Sequence, residues 1–163
     1  MRRLISVLLS AFFGLVLATT AVFADSPNFH FANSSVSSTT GALSVSFKET
    51  GLGTTVSTET ITLNVASASA VYQCFNNGNN HPAAANKTGP GVLTTTGTFP
   101  VRNGQTTGTI SGGPPTSTLK CPNGQTRFLV AVSYDGISLT GAAGDTINAT
   151  PFNIDLTGLK IQA

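Results

Sequence analysis

The sequence predicts an all-β fold: a single antiparallel two-sheet sandwich in the immunoglobulin-like style, with about seven or eight strands and one disulfide. Three observations carry this expectation. Apolar residues alternate with polar ones over short runs, and nowhere past the N-terminal segment do they recur at helical spacing over three turns. Thr and Ser fill more than a quarter of the span from residue 25 onward, and β-branched Thr suits a pleated, half-wet strand better than a helix. Asn103-Gly104 and Asp135-Gly136 carry the chemistry of two-residue hairpin turns, because both pairs accept positive φ. A jelly roll is the alternative. There is no Trp to pack on a disulfide, so the expectation is a style of sandwich rather than membership of the immunoglobulin superfamily.

The chain opens with the three-part form of a secretory leader. Arg2 and Arg3 supply a positive start, Leu4 to Ala18 is almost unbroken apolar sequence, and Ala21-Val22-Phe23-Ala24 offers the small residues a signal peptidase reads. Residues 1–24 are expected to be a signal peptide cut after Ala24, leaving one domain over 25–163. The apolar run is short for a transmembrane helix and no stop-transfer pattern follows, so the mature chain is expected to be secreted and free of the membrane.

Strand expectations follow in order. Leu43 to Phe47 and Ile61 to Val65 alternate cleanly, and Ala70 to Phe75 is a third strand carrying Cys74. A long connection, Asn76 to Gly91, is rich in Asn, Gly and Pro. Phe99 to Arg102 and Gln105 to Ile110 are expected to pair across Asn103-Gly104, and Arg127 to Tyr134 with Ile137 to Leu139 across Asp135-Gly136. In that second hairpin Phe128, Val130, Val132 and Tyr134 share one face, with Leu129 and Ala131 on the other. Apolar on both sides, the strand is expected to be central. Phe152 to Leu156 is the last strand.

Cys74 and Cys121 are the only cysteines, and neither has a CxxC neighbour. In an exported chain they are expected to pair, and closing the loop between them stabilises the fold by about 4 kcal/mol on the chain-entropy view. The bridge would tether Asn76–Gly91 and a second irregular segment, Ser111 to Gly124, at one end of the sandwich. Long loops on a rigid frame are common binding surfaces. Asn76, Asn77, Asn79, Asn80, His81, Asn86 and Lys87 therefore form the candidate binding loop, set against the simpler reading that Asn and Gly merely serve the turns.

Composition narrows the function further. With Arg2 and Arg3 removed, six basic and six acidic residues remain, scattered and balanced; nucleic acid needs clustered cations, so it is not an expected partner. His30 and His81 are the only histidines, and the carboxylates are dispersed along the chain, so no metal and no cofactor is expected. No Ser sits in a G-x-S-x-G elbow, Asp155-Leu156-Thr157-Gly158 lacks the Asp-Thr-Gly order of an aspartic protease, and no carboxylate pair suggests glycoside hydrolysis. Catalysis is not expected. Absent Trp and two Tyr weaken a lectin-like reading.

The run Val71-Tyr72-Gln73-Cys74-Phe75-Asn76-Asn77-Gly78-Asn79-Asn80-His81-Pro82, leading into Asn86-Lys87, and the later Cys121-Pro122-Asn123-Gly124-Gln125 resemble a set of uncharacterised small secreted proteins of actinobacterial type. That resemblance implies export and one domain, and assigns no catalytic residue. A looser likeness is to the neocarzinostatin-type apoproteins, secreted sandwiches with two disulfides that hold an apolar ligand. The expected function is a non-enzymatic binding or interaction module for a protein, glycan or small molecule. The alternatives are a structural or envelope-associated protein contacting through its Thr-rich sheet, and, less favoured, a hydrolase.

Overall fold

A computed structural model describes residues 26–163 apart from 77, 79–81 and 88–90, and of 82–87 the backbone alone. The expected leader lies outside the described residues. Nine strands follow in chain order: β1 (Asn28–Val36), β2 (Leu43–Thr50), β3 (Thr58–Asn76), β4 (Pro82–Lys87), β5 (Gly91–Pro100), β6 (Gln105–Gly112), β7 (Gln125–Thr140), β8 (Thr146–Asn148) and β9 (Ile154–Gln162). A three-stranded antiparallel sheet has the order β1-β2-β6. The other six strands form the second antiparallel sheet.

Two long neighbours dominate the larger sheet. β3 runs 19 residues and β7 runs 16, paired over most of their length. The far edge of β3 is shared by β5 and then β4, and the far edge of β7 by β8 and β9. β7 is therefore central, as its two-sided apolar character implies. On β2, buried and half-buried residues alternate without a break, the period a pleated strand imposes. Its Leu43, Val45 and Phe47 meet Ile61, Leu63 and Val65 of β3 and Val132, Tyr134, Ile137 and Leu139 of β7 in one core. Phe47 sits edge-on to Phe29 and Phe99, with centroids 6.2 and 4.9 Å away.

Several sequence expectations are corrected. Asp135-Gly136 makes no hairpin: β7 runs straight through it, opposite β3, with Ser67 facing Asp135 and Val65 facing Ile137. Gly136 keeps a positive φ of 70°, but it uses that freedom to bend the strand against Ala66, where an added Cβ would lie 2.6 Å from the Ala66 Cβ. Its N–H goes to Asn153 Oδ1 at 2.9 Å. The two strands predicted at 61–65 and 70–75 are likewise parts of one, β3. At Asn103-Gly104 both φ values are positive, 52° and 69°, and Arg102 and Gln105 exchange both backbone bonds. The pairing stops there. β5 stays in the larger sheet and β6 joins the smaller, so the turn is a corner between sheets. Pro100 has no N–H to continue a ladder, and Phe99 is drawn against Phe47.

A shift of pairing between Leu129 and Ala131 also reverses a predicted face. Leu129 joins Val132 and Tyr134 in the core, while Phe128, also buried, packs apart from that cluster against Phe75, 5.4 Å between centroids. The last strand begins at Ile154, and Phe152, 44% exposed, lies before it. The Asn76–Gly91 connection holds a strand of its own, β4, because β5 ends opposite Ala68 and leaves the rest of the β3 edge open.

Candidate functional site

Cys74 and Cys121 are joined, as expected. Cys74 lies on β3 opposite Arg127, and Cys121 lies on the segment that carries the chain from β6 to β7. That segment is strapped to the sheet along its length. An added Cβ on Gly113 would stand 2.5 Å from Tyr134 Oη, so only glycine lets the strap pass beneath the ring. Tyr134 Oη donates to the Gly41 carbonyl at 2.7 Å. Tyr72 Oη donates to the Pro115 carbonyl at 2.9 Å. Arg127 Nη1 donates to the carbonyls of Ser117 and Leu119, both at 3.1 Å, while its guanidinium lies 5.6 Å from the Tyr72 ring centroid. Burial pushes the Tyr134 phenol up to about 12. Burial also raises Tyr72, against the lowering effect of Arg127. Both phenols therefore keep the proton these bonds need across the neutral range. The strap is a fixed wall.

The candidate loop fares less simply. Asn76 is exposed at the end of β3, opposite Gln125, beside the disulfide. Asn77, Asn79, Asn80 and His81 lie outside the described residues. Asn86 and Lys87 are not loop residues: they sit on β4, facing Tyr72 and Val71 in the ladder.

The Thr-rich sheet surface is more regular. On the outer face of the larger sheet, Thr96, Thr62, Thr140 and Thr146 line up across β5, β3, β7 and β8. Thr94, Asn64, Ser138 and Asn148 make a parallel row. Strand geometry spaces neighbours in a row by about 4.8 Å and the rows by about 6.7 Å. Neither row contains a charge. Asn64 Nδ2 donates to Thr140 Oγ1 at 3.2 Å, bracing two of the strands. The signal in the sequence is Thr at every second position, 58-60-62 and 94-96-98; which strands stand side by side is set by topology and cannot be read from that spacing.

There are also two grooves, the first on the larger sheet and the second where it meets the smaller one. One, of about 190 Å³, is lined by Ser69, Val71, Ala131, Ser133, Asp155 and Thr157. The other, of about 390 Å³ at the β5–β6 corner, is lined by Lys48, Pro100, Arg102, Gln105 and Thr107. The carboxylates are less dispersed in space than in sequence: Glu49, Glu59 and Asp145 converge at one end of the core. Among the described residues, no three His, Cys, Asp or Glu side chains group as ligands of a metal ion, and no helix is long and apolar enough to cross a membrane. No protein family, curated protein or solved structure matches the chain.

Proposed function

We propose that the chain is a secreted, non-enzymatic binding module that contacts a neutral, hydroxyl-rich polymer, a glycan in extended form, through the outer face of its six-stranded sheet. The observation that carries this reading is the pair of uncharged Thr, Ser and Asn rows across four strands. Each Thr offers a hydroxyl that both donates and accepts, beside a methyl, on a repeat set by the sheet itself. A polymer with its own repeat of hydroxyls can meet such a lattice at several points, which compensates for contacts that are individually weak. Export is supported by the leader at 1–24 and is compatible with the disulfide. The absence of a nucleophile elbow or a paired acid and base in the sequence supports the non-enzymatic reading.

The test is retention of the purified mature chain on insoluble glycans. Retention on a neutral polymer, undiminished by salt, is the expected result. Retention on acidic polymers alone, released by salt, would move the site to the Lys48 and Arg102 groove. No retention on any polymer would defeat the proposal.

A second reading, a structural or envelope-associated role, is favoured by β5. Among the described residues it pairs with β3 alone, and its length of ten residues carries no charge. Val92 on it is 77% exposed. An uncharged edge of this kind invites strand addition. Sedimentation showing reversible self-association, weakened by Thr96→Lys, would support it.

A further inference from the structure

Three of the six acidic side chains meet where the turn 141–145 closes the core. Glu49 points inward from β2 and is 0% exposed, and neither of its carboxyl oxygens meets a donor. Both oxygens of Asp145 are buried and unpartnered as well. The two groups crowd around Gly141, where an added Cβ would stand 2.5 Å from Asp145 Oδ1 and 2.8 Å from Glu49 Oε1. Glu59, from β3, adds a third carboxyl and accepts the Ala142 N–H at 2.6 Å.

Among the described residues, no cation faces this cluster from the elements around it. Lys48, next to Glu49 on β2, lines the outer groove together with Arg102. His30 on β1 is exposed and bonded to Thr50 Oγ1 at 2.8 Å. β5 and β6 bring Phe99 and Thr106 and carry no charged residue. Two carboxylates cannot both stay ionised when buried side by side without a counter-charge. A calcium ion would take about six to eight oxygens, and among the described residues these three carboxyls do not group as ligands of one ion.

We propose that Glu49 is kept as the neutral carboxylic acid, that its O–H donates to the Asp145 carboxylate, and that this one proton latches the 141–145 turn onto the end of the core. Burial first, then the charges of Asp145 and Glu59, push the Glu49 carboxyl from its ordinary 4.5 up to about 8. The folded chain thus holds this proton more tightly than the unfolded one. The stabilisation is complete below pH 4.5 and is lost as pH rises through about 8. Above that point the turn is repelled, and the chain it leads into is released with it. That chain is β8, followed by Thr150, whose N–H and carbonyl bond to Ala32 and Ser34 of the smaller sheet. The latch therefore joins one end of the Thr face to the seam between the sheets.

The test follows thermal unfolding of the mature chain from pH 5 to pH 9 with and without calcium chloride, alongside Glu49→Gln, whose amide can still donate to Asp145 but does not titrate. The wild type is expected to melt lower as pH rises, and Glu49→Gln to lose most of that slope and to melt above the wild type at pH 9. Hydrogen exchange on the unmutated protein gives an independent reading. The amides of Gly141, Ala142 and Gly144 should lose protection at pH 9 beyond the intrinsic effect of base, while those of β3 keep theirs. A wild-type melting temperature that is flat or rises with pH, a full slope surviving in Glu49→Gln, or alkaline stability restored by calcium would each overturn the proposal, the last by making the neutralising charge a metal ion.

Discussion

Gly136 stands in a left-handed conformation, pressed against Ala66, in the middle of a strand. An Ala there meets both strain and a clash, so Gly136→Ala should destabilise by about 2 kcal/mol or more, read from urea unfolding. Gly124 also has a positive φ, yet nothing lies near it, and Gly124→Ala should cost only the conformational part, about 1 kcal/mol. The same contrast explains what sequence reading caught and missed at this scale. Asp-Gly is a true signal of positive φ, but a dipeptide cannot tell a reversal from a bend. That choice belongs to β3, which offers partners on both sides of the break. Tyr72 was equally opaque. Its place in a strand says nothing of the partner of its hydroxyl, which is spent on the Pro115 carbonyl. Tyr72→Phe should destabilise by about 1 kcal/mol, by leaving that carbonyl without its donor.

Among the elements, the strap from Gly113 to Cys121 joins the two sheets and depends on side chains far from it in sequence. Tyr72 and Arg127 hold it by hydrogen bonds, and Cys74 by a covalent bond. Replacing both cysteines by Ala should lower stability by about 2–4 kcal/mol in urea unfolding. The loss of protection to hydrogen exchange should appear first at residues 115–121, because the noncovalent bonds there are peripheral while those of β3 and β7 are not. The pairing of the cysteines was legible from their number and from the leader. The strand content was legible too, since a period of two survives in β2 and in both halves of β3. Lengths were not. Sequence periodicity breaks at the bend near Ala66, which looks like a strand end although the hydrogen-bond ladder continues, while the shift beside Leu129 leaves the strand unbroken and exchanges its faces. β4 was hidden for the opposite reason: Pro82 and the three alanines after it carry no apolar alternation, and an open edge of β3 recruits them.

For the whole molecule, composition already pointed away from nucleic acid, and the balanced charge of the span 25–163 leaves hydroxyls as the main surface chemistry. What no spacing could show is which groups meet. Thr62 and Thr140 are far apart in sequence and adjacent in the sheet, and Glu49 and Asp145 are farther apart still yet share one buried site. The candidate loop and the Thr face make different demands on mutation, because one is a few polar residues within a single stretch of sequence and the other a repeat across four strands. Inserting charge into the repeat should abolish contact with a neutral polymer while leaving the fold intact, since Thr62 and Thr96 point away from the core. The most direct measurement is retention on a neutral insoluble glycan of the wild type, of Thr62→Lys with Thr96→Lys, and of His81→Ala with Lys87→Ala, each shown to melt as the wild type does. Loss of retention in the first double variant and full retention in the second is the predicted result; retention that survives charge in the Thr rows and disappears with His81 and Lys87 would contradict it.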